Sequence, residues 1–293
     1  MDKKQFQKQY EAYRTAVEDF LSKLFLGDTP GCERLYDSMR YSLLSGGKRL
    51  RPVLTLEFAR LCGMEDWHCA LPFACAVEMV HTYSLIHDDL PCMDDDALRR
   101  GKPTNHIVFG ETMATLAGDA LQPEAYRVLL SADLPSDRLA AGVEVLALAS
   151  GAMGMVAGQV LDLSDGTKAE DELALLHTLK TGCMFMGAAE LGCVAAGGTQ
   201  ELRDAARLYA MNLGMAFQIR DDMLDVTGDE AVFGKPIGSD KDEGKTTYVD
   251  LLGLSGCEKR IERCTEGAVE ALSSLEGTEF LIELVQQLAK REK

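Results

Sequence analysis

His81-Thr82-Tyr83-Ser84-Leu85-Ile86-His87-Asp88-Asp89-Leu90-Pro91-Cys92-Met93-Asp94-Asp95-Asp96 closes a strongly apolar segment, Leu71 to Ile86, with a run that holds five aspartates. Arg99, Arg100 and Lys102 follow closely. Carboxylates packed this densely repel one another when ionised, so a fold keeps them only with something cationic among them. Mg²⁺ takes oxygen ligands and shares them with substrate phosphates. Adjacent arginines suit a second anion, because a guanidinium forks onto phosphate oxygens. The stretch therefore predicts a phosphorylated substrate held through Mg²⁺ at the end of a buried helix. A charge run is more often a solvated loop, and the apolar segment before it is what argues otherwise.

Outward from this stretch the spacing is helical. Phe6, Tyr10, Tyr13, Val17, Phe20, Leu21 and Leu24 recur mostly at threes and fours and predict an amphipathic helix over 3–26. Further helices are predicted at about 33–44, 53–62, 66–89 and 104–130, with Pro123 kinking the last or starting a new one. Ser136 is expected to cap a helix that reaches about Leu163, on which Gln159 and Asp162 share a face, either at a solvated end or towards a cavity. Helices at about 169–197, 200–226, 257–274 and 278–291 complete the chain. No segment alternates with period two, so the predicted class is all-α, a single domain over 1–293 with only 8 prolines and no linker.

Two further patterns carry chemistry. Gly46-Gly47-Lys48-Arg49-Leu50-Arg51-Pro52 sets three cations behind two glycines at a helix start, a plausible phosphate cradle. The helix ending Gln218-Ile219-Arg220-Asp221-Asp222-Met223-Leu224-Asp225 places Asp221 and Asp225 one turn apart, where they could share a cation. His81 and Asp88, seven apart, also share a face. Lys180-Thr181 and the loop lysines Lys235 and Lys245, each behind a glycine, add separate positive charge.

Composition bounds the partners. A formal charge of −17 argues against general nucleic-acid binding, which needs a basic footprint. Nine cysteines without metal-type pairs, with Cys69 and Cys75 in apolar sequence, read as reduced core residues. The start of the chain is polar, and the longest uncharged apolar run, Val145 to Gly158, is too short for a bilayer, so a soluble cytoplasmic protein without a membrane span is expected.

Taken together in this order, Gly46-Gly47-Lys48-Arg49-Leu50-Arg51-Pro52, Asp88-Asp89 with Asp94 and Arg99-Arg100-Gly101, Lys180-Thr181-Gly182, Gln218 with Asp221-Asp222 and Asp225, and Gly234-Lys235 with Gly244-Lys245 closely resemble the trans-isoprenyl diphosphate synthases of the polyprenyl synthetase family. The resemblance spans most of the chain. It implies a helical bundle around a deep cavity, a homodimer, and head-to-tail condensation of isopentenyl diphosphate with an allylic diphosphate. It implies Mg²⁺, on the order of two or three ions per site, bound by Asp88, Asp89, Asp94, Asp221, Asp222 and Asp225. Arg99, Lys180, Lys235 and Lys245 would balance the allylic diphosphate. Lys48, Arg51, His81 and Arg100 would hold isopentenyl diphosphate, and Thr181 and Gln218 would face the carbocation.

Tyr83, with Ser84 beside it, lies five residues before Asp88, about 7–8 Å deeper along the helix. A ring there could floor the prenyl pocket, and members resembling this chain with an aromatic at that place tend to make farnesyl diphosphate. The rivals are a geranylgeranyl-forming synthase, a class I terpene cyclase, and an inactive regulatory subunit. The cyclase would usually carry an Asn/Ser/Glu metal motif in place of Asp221-Asp222 and Asp225, and the subunit would have lost one acidic motif; both motifs are intact here. Two departures from the family pattern, Ala157-Gly158 for a glycine pair and Pro123 in a helix, leave the proposed metal ligands untouched.

Overall fold

The computed structural model describes residues 1–25, 29–164, 166–227 and 245–291. It is an all-α bundle of α1 (Lys3–Ser22), α2 (Glu33–Leu43), α3 (Leu50–Leu61), α4 (Leu71–Asp88), α5 (Asn105–Phe109), α6 (Glu111–Leu130), α7 (Ser136–Ser150), α8 (Met155–Asp162), α9 (Glu170–His177), α10 (Cys183–Ala196), α11 (Gln200–Thr227), α12 (Tyr248–Ala271) and α13 (Glu279–Ala289). A π turn, Thr178–Gly182, joins α9 to α10 without a break. Local chemistry sets several ends. Asp2 accepts from the Gln5 backbone at 2.8 Å while the Gln5 side chain accepts from the Asp2 backbone at 3.1 Å, a reciprocal cap on α1. Thr247 and Asp250 do the same for α12.

α4 is the axis of the bundle. Phe73, Ala76, Val77, Met79, Val80 and Tyr83 are buried on successive faces, so the helix is apolar all round and must be enclosed. α1, α3, α6 and α10 pack about it. Arg49 knots four of these elements together. It adopts a left-handed backbone (φ 52) before α3, and its guanidinium is fully buried against Glu78 of α4 at 2.7 Å, Glu18 of α1 at 2.8 Å and the Leu43 carbonyl of α2 at 2.6 Å. The middle cation of the basic run is thus part of the core.

The structure revises several predicted boundaries. α6 continues through Pro123 and no new helix starts there; the carbonyl that loses its donor belongs to Asp119 on the exposed face, where water can serve it. Pro135, not Ser136, occupies the cap position of α7. The helix predicted to reach Leu163 breaks at 151–154, and α8 starts afresh at Met155. α12 begins at Tyr248 rather than near 257, with an interruption at Gly253. A two-residue hairpin, Leu98–Arg99 with Lys102–Pro103, turns through Arg100 and Gly101, both at positive φ, which suits a tight turn. Cys69 is exposed, whereas Cys75, Cys193, Cys257 and Cys264 are buried; all nine thiols are free. Two helical stretches, Trp67–Asp88 and Ser136–Asp162, are apolar and long enough by composition to cross a membrane. The first is the core axis, and the second is the broken α7–α8 pair.

Candidate active site

α4 ends at Asp88, since Pro91 disfavours helical geometry at Leu90. The chain then folds back, and the Asp94 amide donates to the Asp88 carbonyl at 2.9 Å. This turn brings Asp94 close to Asp88, a relation that helix spacing across Pro91 does not supply. Burial, and then repulsion from Asp94 and Asp89, push the Asp88 carboxyl up to about 6, with Lys180 and Arg99 pulling the other way.

Below Asp88 lies a cavity of about 670 Å³. Among the predicted site residues, Asp88, Arg99, Arg100, Arg51, His81, Tyr83, Ser84, Lys180, Thr181, Gln218 and Asp221 all line it. Its apolar wall is Met155, Val156, Val160, Leu163 and Phe217. The lining thus combines ionic groups with an apolar wall, the combination that suits a charged head on a hydrocarbon chain.

The cations divide. Arg51 is half-buried, with its guanidinium 4.6 Å from the Phe185 ring and its Nε buried without a partner among the described residues. Burial lowers it to about 10, so it stays charged at neutral pH. Burial and the neighbouring arginines hold His81 well below the ordinary histidine value, so it meets a ligand as a neutral imidazole, not as a cation. Arg100 donates to the Gly46 carbonyl, and a Cβ on Gly47 would stand 2.7 Å from its guanidinium. The glycine pair thus makes room for an arginine from the hairpin. Lys48 leaves the cavity for a small adjoining pocket with Tyr10 and Arg291.

The carboxylates divide as well. Asp89 is turned away from the cavity, 3% exposed, and held by Arg99 at 2.7 Å. Asp222 is buried and accepts from the Tyr248 backbone at 2.9 Å and from Gln218 at 3.2 Å, tethering the start of α12. Asp225 is buried one turn beyond Asp221. Asp94 lies 3.5 Å from Lys245. Lys235, with Gly234 and Gly244, falls outside the described residues.

Three features had little or no local signal. Arg291, near the C-terminus, donates to Asp221 at 2.5 Å and lies 3.8 Å over Phe217. The π turn carries Lys180 and Thr181 into the cavity; such insertions recur at functional sites. Asp162, half of the polar pair seen in the sequence, bonds Lys180 at 2.5 Å and Lys245 at 3.5 Å. Burial would raise its carboxyl, but these two lysines hold it below the ordinary value.

His177, at the entrance to the π turn, stacks on Tyr248 at 5.6 Å, and burial drives it down to about 4. The unfolded chain gains this proton near the ordinary histidine value of about 6.5, the folded chain only near 4. Stability from the neutral ring is therefore complete above about 6.5 and declines as pH falls towards 4, by roughly 3 kcal/mol. Urea unfolding of His177→Phe at pH 7 and at pH 4.5 should show a smaller acid loss than in the parent.

An all-helical shell around a cavity lined by an apolar wall, by carboxylates from two helices and by several cations is the kind of site that suits a hydrocarbon with an anionic head. The polyprenyl synthetase family model matches residues 32–276, and the chain belongs to that family. The farnesyl diphosphate synthase of Geobacillus stearothermophilus is 45% identical over 89% of this chain and 87% of its own. Geranylgeranyl pyrophosphate synthase 7 of Arabidopsis thaliana is 43% identical over 88% of this chain and 77% of its own. The crystal structure of an FPP/GFPP synthase from Zymomonas mobilis superposes with a TM-score of 0.86 at 33% identity, covering 97% of this chain and 99% of that one. The chain is a trans-prenyl synthase, and its relatives carry names for more than one product length.

Proposed function

We propose that the chain condenses isopentenyl diphosphate with dimethylallyl and then geranyl diphosphate to give (2E,6E)-farnesyl diphosphate, with Mg²⁺. The observation that carries the product length is Tyr83, 6% exposed, whose ring lines the cavity one and a half turns below Asp88.

The metal reading rests on the donor set. Asp88, Asp94 and Asp221 are hard oxygen donors, Asp88 and Asp221 line the same cavity, and the Asp88 carboxyl, raised first by burial and then by its acidic neighbours, would be favoured in its charged form beside a divalent cation. Among the described residues no three acidic, imidazole or thiol side chains already converge on one point. Mg²⁺ needs none, since one or two carboxylates, phosphate oxygens and water commonly complete its shell. When bound, Mg²⁺ supplies Lewis-acid neutralisation of the leaving diphosphate.

The protein does the rest. Lys180 and Arg99 line the cavity and would take the allylic diphosphate, while Arg51, Arg100 and the neutral His81, which line it as well, would take isopentenyl diphosphate. The allylic C–O bond breaks and its electron pair leaves with the diphosphate. The double bond of isopentenyl diphosphate then attacks the allylic cation, and a proton is lost from the new chain to the released diphosphate. Water in the cavity would quench the cation, and an apolar wall favours its exclusion once substrate fills the space. Exposed Ile107, Leu116 and Leu148 on α5–α7 suit burial against a second copy, which supports a homodimer.

The test is to incubate the protein with isopentenyl diphosphate, Mg²⁺ and each allylic diphosphate in turn and chromatograph the products. Farnesyl diphosphate is the expected end point. Accumulation of the geranylgeranyl ester would replace the product assignment, and a cyclic hydrocarbon would overturn the reaction class.

A further inference from the structure

We propose that Gln159 is a further catalytic residue, whose side-chain amide touches the ionising end of the allylic substrate. Three observations lead there. First, both polar atoms of the Gln159 amide are buried and, among the described residues, lack a hydrogen-bond partner, although the residue lines the cavity. A buried amide left unpaired is costly, and a fold that retains one has a use for it. Its neighbours on α8 that line the cavity, Met155, Val156 and Val160, are apolar, so nothing on its own helix demands an amide.

Second, its height in the cavity is fixed. A Cβ on Gly158 would stand 2.1 Å from the Lys180 nitrogen and 2.4 Å from its Cα, so the α8 backbone rests directly on the π turn. Gln159, the next residue, is thereby level with Lys180 and Thr181.

Third, the other dipoles at that level are engaged. Thr181 donates to the Gln218 Oε1 at 3.1 Å, and Gln218 donates to Asp222 at 3.2 Å. Lys180 is bonded to Asp162 at 2.5 Å.

The role rests on the prenyl-transfer reading above. As the allylic C–O bond breaks, the electron pair departs on the diphosphate oxygen and positive charge spreads over the allylic carbons. The Gln159 carbonyl oxygen faces that charge, and its NH₂ donates to the departing oxygen. Both interactions strengthen only as charge separates, so they act on kcat and little on KM.

The experiment compares Gln159→Met, similar in length and apolar, and Gln159→Glu, which keeps an oxygen at the same place. With dimethylallyl and geranyl diphosphates, Gln159→Met should lose about 100-fold in kcat, with the allylic KM within about threefold of the parent. Its thermal midpoint should be equal or higher, because the unpaired amide is gone. Gln159→Glu should retain at least about tenfold more activity than the Met variant. A Met variant with near-parental kcat overturns the inference, and so does one whose loss of kcat accompanies an equal loss of fold or a matching rise in KM. A parent protein that turns over no allylic diphosphate would instead defeat the prenyl-transfer reading, and that result precedes any variant.

Discussion

Asp88→Ala and Asp221→Ala will each lower Mg²⁺-dependent turnover by about three orders of magnitude, the scale expected when several kcal/mol of charge neutralisation are withdrawn from the leaving group. The two positions lie on different helices, α4 and α11, and line one cavity, so neither can substitute for the other. The fold should survive both changes. The half-buried Asp88 carboxylate is disfavoured first by burial and then by Asp94 and Asp89, more than Lys180 and Arg99 offset, so its removal relieves an unfavourable charge; circular dichroism melting should give an unchanged or higher midpoint. Asp221→Ala releases the Arg291 bond but leaves that guanidinium over Phe217, so a small loss is expected. Near-parental turnover in either variant, measured by release of diphosphate at saturating Mg²⁺, would remove the assignment of these residues as metal ligands.

Tyr83→Ala will lengthen the product. The ring lines the cavity and meets His87 edge-on at 5.8 Å, so its removal extends the space along α4 away from the mouth. The expected outcome is a shift from farnesyl towards geranylgeranyl diphosphate and longer esters on reversed-phase chromatography. The ring is among the core side chains, and truncation should cost stability of up to about 3 kcal/mol, less than for an enclosed aromatic because one face borders the cavity. An active variant with an unchanged product distribution would show that the floor lies elsewhere.

The fold class and the two acidic helix ends were legible in the sequence because both are local. Helical periodicity is written every three or four residues, and Pro91 marks where α4 must stop. What could not be read are choices made by distant partners. Asp88 and Asp89 are adjacent and chemically identical, yet Arg99, ten residues on, captures Asp89 and leaves Asp88 to the cavity. Within the basic run, nothing local says that Arg49 turns inward while Arg51 faces the cavity; Glu78 and Glu18 on other helices decide it. Arg291 approaches Asp221 only because α13 ends there. The α7–α8 break is hidden for a different reason: Gly151 and Gly154 stand in an apolar run and read as small core residues. Without that break, Gln159 and Asp162 would continue the line of α7.

The π turn at Thr178–Gly182 also constrains what the chain can lose. An inserted residue in a helix is an offset of about 100° between the turns on its two sides. α9 and α10 run into it from either side without a loop that could absorb a change in length. Deleting a single residue there would restore a regular helix and, in the same stroke, rotate Lys180 and Thr181 off the cavity or swing the buried face of α10 out of the core. Substitution can tune this segment, but a length change within it cannot be neutral.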